Sequence, residues 1–149
     1  MANSIQYAKI VSVPSQKVNT TELAGRVRIA FAEYEADAEQ STVNMFVLPN
    51  GARITEGRLG HDAMGSGTTI SVGFAAHKKA DGTDVSASAA AYLAATVSTG
   101  AVGHDIASTI ALGENSLVNA DGDGMIVTAT LGGGNHTDTV QVRLYYVVD

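Results

Sequence analysis

The chain has 149 residues, a length typical of one domain with its own hydrophobic core. Its formal net charge of −6 argues against binding to nucleic acid or to anionic lipid, since both need basic patches. The absence of cysteine excludes disulfides and thiolate metal sites. No apolar run approaches the ~20 residues that span a bilayer, and the first residues lack the pattern of a signal peptide. We therefore expect neither nucleic acid nor a membrane among the partners.

Residues 1–22 are predicted to form an N-terminal segment or arm, and residues 23–149 a single β-sandwich domain. Four apolar residues of the segment could form one short strand ahead of a proline: Ile5, Tyr7, Val11 and Val13. Such segments usually pack on their own domain. The alternative is an arm that reaches a neighbouring subunit.

Six stretches are predicted as β-strands because apolar residues alternate or run together between turn signals. The alternation is clearest in the first stretch, where Val27, Ile29 and Phe31 share one face of a half-buried strand. A bulge is expected near Gly57, where the apolar pattern breaks. The six stretches are residues 24–35, 43–48, 53–60, 68–76, 125–131 and 139–148.

Residues 86–98 (SASAAAYLAATVS) are the one helix candidate of the chain. Alanine is the best helix former, and Tyr92, Leu93 and Val97 have the spacing of contacts along a helix face. Glycines at 100 and 103 would end this helix. Two short strand pieces are expected after it, at residues 106–112 and 115–118.

Short strands separated by frequent turn signals are typical of all-β proteins. We predict an all-β, jelly-roll-like antiparallel β-sandwich of 7–8 strands with one short helical insertion. An immunoglobulin-like sandwich is disfavoured, because the chain has no cysteine and no tryptophan for the signature of that fold.

The tripeptide Gly-His-Asp occurs twice, at residues 60–62 and 103–105. A hydrolase would pair such a histidine and aspartate with a serine such as Ser66. Adjacent His and Asp side chains point to opposite faces of an extended chain, however, and Gly65-Ser66-Gly67 lacks the spacing of a nucleophile elbow. We therefore predict no catalytic residues and no enzyme activity, and interpret the tripeptides as loop tips with Asx-turns.

Metal binding has one weak candidate in the sequence. Asn119, Asp121 and Asp123, followed by Gly124, match the first half of a calcium-binding loop. The twelfth position is Thr130, so the bidentate glutamate is missing, and no histidine pair has chelating spacing. The preferred interpretation is a hairpin turn with solvated acids, and no cofactor is predicted.

From Leu48 onward the sequence resembles small virion structural proteins of tailed bacteriophages, of the head decoration or cement type. The resemblance covers about two thirds of the chain. It rests on these pieces: Leu48-Pro-Asn-Gly-Ala-Arg-Ile54, Gly65-Ser-Gly-Thr-Thr-Ile-Ser-Val-Gly73, Asp81-Gly82, Tyr92-Leu-Ala-Ala-Thr96, and Val127-Thr-Ala-Thr-Leu-Gly132 with the closing Tyr145-Tyr146.

The resemblance implies a protein of the capsid surface, made in the cytoplasm of the bacterial host. Its partners would be the major capsid protein and two further copies of itself in a homotrimer. It would act passively, by bridging capsomers. Three elements are candidate contacts: the N-terminal segment, the acidic turn after the first strand, and the loop of residues 61–67. The candidate interaction residues are Ile5, Tyr7, Val11, Glu35, Asp37, His61, Asp62 and Met64.

The alternative is a carbohydrate- or receptor-binding β-sandwich of a virion spike, fibre or tail. Jelly rolls often serve as lectins. A sugar-binding groove would need exposed aromatic side chains, and here aromatic residues make up 5% of the chain with no tryptophan. The sequence therefore favours the decoration role.

Overall fold

The computed structural model describes residues 26–37, 41–106 and 117–148, which form ten β-strands. Within these ranges no helix occurs, and so none is long and apolar enough to cross a lipid bilayer. The strands are β1 (Val27–Asp37), β2 (Thr42–Leu48), β3 (Arg53–His61), β4 (Thr69–Phe74), β5 (His77–Lys78), β6 (Asp84–Val85), β7 (Ser88–Val97), β8 (Val102–Ile106), β9 (Met125–Gly132) and β10 (Thr137–Val147).

Eight strands build two antiparallel sheets of four strands each. Sheet A has the order β1-β10-β3-β8, and sheet B has the order β2-β9-β4-β7. Strands β5 and β6 form a small separate hairpin. Neighbours within a sheet are therefore far apart in the sequence, and most of the pairing is long-range.

One hydrophobic cluster joins the inner faces of both sheets. Leu59, Val142 and Leu144 come from sheet A, and Ile70 and Val127 come from sheet B, all fully buried. Alternating side chains of a strand point to opposite faces, so each inner strand contributes every second residue to this core. The predicted all-β class and antiparallel pairing are confirmed.

Strand β1 alternates as predicted, but its most apolar face points outward. Val27, Ile29 and Phe31 are 58%, 60% and 53% exposed. The opposite face carries Ala30 and Tyr34, which pack against the core. Period-2 alternation identifies two faces but does not say which one the second sheet covers.

The predicted helix at residues 86–98 is wrong, because residues 88–97 form strand β7. This strand pairs with β4 at the edge of sheet B, and Tyr92 is buried in the core. At Gly73 the backbone of β7 passes so close that an added Cβ would overlap the carbonyl oxygen of Ser88. The helix preference of alanine over other ordinary residues is worth less than about one kcal/mol per residue. The pairing of β7 with β4 and the burial of Tyr92 therefore override it.

The six predicted strands are confirmed, with ends shifted by a few residues. Strand β8 lies where the end of a helix was expected, and the 106–112 and 115–118 predictions fall largely outside the described residues. The predicted bulge lies close to its expected place: Thr55 is the extra residue where β3 pairs with β10. The N-terminal segment, residues 1–22, lies outside the described residues.

Candidate functional site

Pairing of β3 with β8 brings the two Gly-His-Asp tripeptides together. Gly60 lies opposite Gly103 in the antiparallel register. One end of the sandwich is formed by the end of β3, the start of β8, the beginning of β10 and the end of β9. We call it the histidine end. It contains His61, His104 and His136.

The rings of His61 and His104 stack with centroids 5.4 Å apart, and their Nε2 atoms are 3.3 Å apart. His61 Nδ1 lies 2.8 Å from the backbone carbonyl oxygen of Asp62, which can only accept, so Nδ1 carries the proton. In the neutral pair His61 Nε2 then accepts from His104 Nε2–H. Burial lowers the pKa of His104, the charge of His61 lowers it further, and the Asp105 carboxylate opposes the shift.

This arrangement does not assemble a hydrolytic triad. His61 Nδ1 is bonded to a backbone carbonyl rather than to a carboxylate, and its Nε2 faces another imidazole. Ser66 lies on an exposed turn. Among the described residues the geometry provides no activated serine at either histidine.

The loop of residues 62–68 is tied into the fold by hydrogen bonds. Met64 N–H donates to the Ser98 carbonyl at 2.9 Å. Ser98 Oγ donates to Thr68 Oγ1 at 2.9 Å, and Thr68 Oγ1 donates to the Gly65 carbonyl at 2.8 Å. This loop is therefore packed on the domain rather than projecting from it.

Met64 was predicted as a surface contact, and the structure corrects this. Its side chain is 0% exposed and belongs to the core cluster. His61 is also mostly covered, at 6% exposure, whereas Asp62 is exposed. Burying an apolar side chain against the core is favourable in free energy even when the residue lies in a loop. The expectation drawn from the loop position of Met64 was therefore wrong.

His136 is fully buried at the histidine end. Its Nε2 lies 3.2 Å from the Thr69 carbonyl oxygen and donates to it. Its Nδ1 has no hydrogen-bond partner within the described part of the chain. The histidine therefore joins the start of β4 to the turn before β10, and sequence reasoning did not single it out for this role.

Glu35, Asp37 and Asp62, predicted as separate contacts, lie at the same end of sheet A. Glu35 pairs with Thr139 in the β1–β10 register, and Asp62 N–H donates to the Thr139 carbonyl from the other side. All three carboxylates are exposed. An open groove of about 380 Å³ lies beside them on sheet A, lined by Glu33, Gly60, His61, Asp62, Val102, Gly103, Thr139 and Gln141.

The candidate calcium loop is held by protein donors. The Asn119 side-chain oxygen accepts from Ala80 N–H at 3.1 Å, and Asp121 Oδ1 accepts from Asp123 N–H at 3.2 Å. No group of three or more His, Cys, Asp or Glu side chains that could hold a metal ion occurs among the residues described. The turn thus needs no ion to satisfy its backbone.

Sequence reasoning missed an apolar stripe on the outer face of sheet A. It consists of Val27, Ile29 and Phe31 on β1. The Arg143 guanidinium lies over the Phe31 ring, 5.9 Å from its centroid. The alternation of apolar residues along β1 was visible in the sequence, but these residues were interpreted as the buried face of the strand.

No protein-family model matches the chain, and no curated protein matches it in sequence. Solved structures share its fold. A chain of the capsid of Ralstonia phage GP4 is 19% identical with a TM-score of 0.63, covering 90% of this chain and 92% of that one. A chain of the capsid asymmetric unit of cyanophage Pam1 is 16% identical with a TM-score of 0.59, covering 85% and 88%.

A third similar chain comes from the acidic stable capsid structure of Helicobacter pylori bacteriophage KHP30. It is 17% identical with a TM-score of 0.54, covering 82% of this chain and 87% of that one. At these identities the likeness shows a common fold. In each case it extends over nearly the whole of both chains.

Proposed function

We propose that this chain is a structural protein of a bacteriophage virion that decorates the head and cements it by bridging capsomers. One observation carries the proposal: its fold matches, nearly end to end, chains of capsid structures from three different phages. A match over 87–92% of those chains means that the likeness is not to one domain of a larger protein.

The strand order supports assigning the sandwich to the jelly rolls. Counting only the eight long strands in chain order, the sheets run 1-8-3-6 and 2-7-4-5. Neighbouring strands thus come alternately from the two halves of the chain, as two nested Greek keys require. Jelly rolls are common in viral capsid proteins.

The mechanism we infer is passive. A standard protein interface buries about 800 Å² on each partner, so a few such contacts per subunit would hold a lattice of capsomers. The exposed carboxylates of Glu35, Asp37 and Asp62 gather at one end of sheet A and could meet a basic surface of the major capsid protein. Ile5, Tyr7 and Val11 remain proposed contacts in the N-terminal segment.

Co-sedimentation with undecorated phage heads tests the proposal. We expect the protein to pellet with the heads and to raise the temperature at which they fall apart. Replacing Glu35→Lys and Asp37→Lys together should weaken binding by at least tenfold. Asp123→Lys is a matched control, because this exposed acid lies at the opposite end of the sandwich. A protein that stays in the supernatant at micromolar concentration would overturn the cement role.

The homotrimer is tested by size-exclusion chromatography with light scattering. We expect three times the 15.3 kDa of one chain. A monomer at all concentrations would reject the trimer without deciding head binding.

For the alternative, a carbohydrate- or receptor-binding module, the stripe offers one exposed aromatic ring, Phe31, which Arg143 already covers in part. No observation in the described residues favours that role, and a glycan array would reveal it.

A further inference from the structure

The two histidines of the β3–β8 pair have the spacing of two ligands on one metal ion. His61 and His104 lie on neighbouring strands, and their Nε2 atoms are 3.3 Å apart. Two nitrogens bound to one tetrahedral zinc ion, at about 2.0–2.1 Å each, are separated by roughly 3.3–3.4 Å. Two ligands at a right angle around the ion would be separated by roughly 2.9 Å. The observed separation therefore matches tetrahedral coordination.

The hydrogen bond on the far side of the His61 ring leaves the correct nitrogen available for an ion. His61 Nδ1 lies 2.8 Å from the carbonyl oxygen of Asp62 and donates to it, so the lone pair is on Nε2. Histidines that bind metal ions almost always donate their other ring N–H to a backbone carbonyl, a carboxylate or a water. The fold thus fixes the tautomer and the ring orientation that a ligand at this position needs.

His104 becomes the second ligand by a change of tautomer. In the structure its Nε2–H donates to His61 Nε2. A bound ion replaces this proton, which moves through solvent to Nδ1 of the same ring, so that both rings stay neutral and both Nε2 lone pairs face the ion. The His104 side chain is partly exposed, so water can exchange this proton and can fill the remaining coordination positions.

The groups around the pair select the class of ion. Asp62 and Asp105 each follow one of the two histidines in the sequence, and both carboxylates are exposed. Carboxylates near a site raise the local concentration of cations. No third His, Cys, Asp or Glu side chain completes a cluster in the ranges that the structure describes, so the protein ligands are the two imidazoles. Imidazole nitrogen suits zinc and neighbouring transition metals, whereas calcium and magnesium take oxygen ligands.

We propose that His61 and His104 bind one zinc ion through their Nε2 atoms, with water in the other positions. The ion would link β3 to β8 through two residues that lie 43 positions apart in the sequence. Because the unfolded chain does not hold these histidines together, zinc would bind the folded state more tightly and stabilise it. This inference is independent of any role of the chain in a virion.

Isothermal titration calorimetry with zinc chloride, at neutral pH in a buffer that does not bind metal ions, tests the site. We expect one zinc ion per chain with a micromolar dissociation constant, and a higher melting temperature in zinc than in a chelator. His104→Gln should weaken zinc binding by roughly tenfold or more and should remove the rise in melting temperature. The matched control is His77→Gln, because His77 lies on the β5–β6 hairpin, and it should bind zinc like the wild type.

NMR of the imidazole nitrogens of the wild-type chain gives a second measurement, in case His104→Gln does not fold. Zinc should shift the Nε2 resonances of His61 and His104 and leave those of His77 unchanged. Equal zinc affinity in the wild type and in folded His104→Gln would overturn the proposal, and so would shifts confined to the other histidines. Unchanged heats and unchanged spectra at a tenfold excess of zinc over protein would overturn it as well.

Discussion

The imidazoles of His61 and His104 share one hydrogen bond between Nε2 atoms 3.3 Å apart. The two residues lie 43 positions apart in the sequence, and the pairing of β3 with the edge strand β8 brings them together. One of the two nitrogens must lack a proton for this bond to exist. A second positive charge would therefore break the bond and place two cations in contact.

The pair should make stability depend on pH. Burial and the His61 charge lower the pKa of His104 in the folded state, so the unfolded chain binds its proton more tightly. The contribution to stability is then complete above the unfolded value of about 6.5 and is lost as the pH falls through the folded value. We expect the melting temperature to fall between pH 7 and pH 5, roughly, with a smaller fall in His104→Gln.

Because several acids also titrate below pH 5, the comparison between wild type and variant carries this test. His77→Gln is a suitable control, since His77 lies on the β5–β6 hairpin, away from the pair. An identical pH dependence in wild type and His104→Gln would show that the pair does not couple protonation to folding.

The strands were predictable where alternation is strong. Residues 139–148 alternate through Val140, Val142 and Leu144, and they form the greater part of β10 at the centre of sheet A. Pairing partners were not predictable, because they lie far apart in sequence. The repeated Gly-His-Asp tripeptide was a visible signal, yet nothing local indicated that Gly60 would face Gly103.

Two other features depended on packing that local sequence does not encode. Residues 88–97 have a helical composition, but their pairing with β4 and the burial of Tyr92 decide in favour of a strand. Met64 stands in a polar, glycine-rich loop, and its burial depends on the hydrogen bonds that fold this loop over the core. In both cases tertiary contacts outweigh a weak local preference.

Calcium should have no effect on the turn at residues 119–124. The side-chain oxygens of Asn119 and Asp121 accept backbone donors, so the turn is held by hydrogen bonds that need no ion. We expect equal melting temperatures in millimolar calcium and in a chelator. Asn119→Ala should lower stability by about 0.5–1.5 kcal/mol in both conditions. A calcium-dependent rise that Asp121→Asn abolishes would contradict this prediction.

Met64→Ala should destabilise the protein by about 2–5 kcal/mol, the usual cost of removing a large buried side chain. Its side chain is fully buried, and its loop is bonded to Ser98 and Thr137. Asp62→Ala, two residues away and exposed, should change stability by no more than about 0.5 kcal/mol. Urea denaturation of the three proteins checks this. Equal stability in both variants would mean that Met64 is not part of the core.

Gly73→Ala should destabilise the protein by at least about 1–3 kcal/mol, the cost of inserting a methyl group into a packed site. The position has no positive φ, so the effect is steric: the new methyl would overlap the backbone of β7 at Ser88 and Ala89. Gly60→Ala is the matched control, since a Cβ there meets nothing within 4 Å. We expect this control to be neutral or slightly stabilising, because alanine restricts the unfolded chain. If residues 86–98 formed a helix instead, the close approach of β7 to Gly73 would be absent. The two variants would then unfold at the same urea concentration.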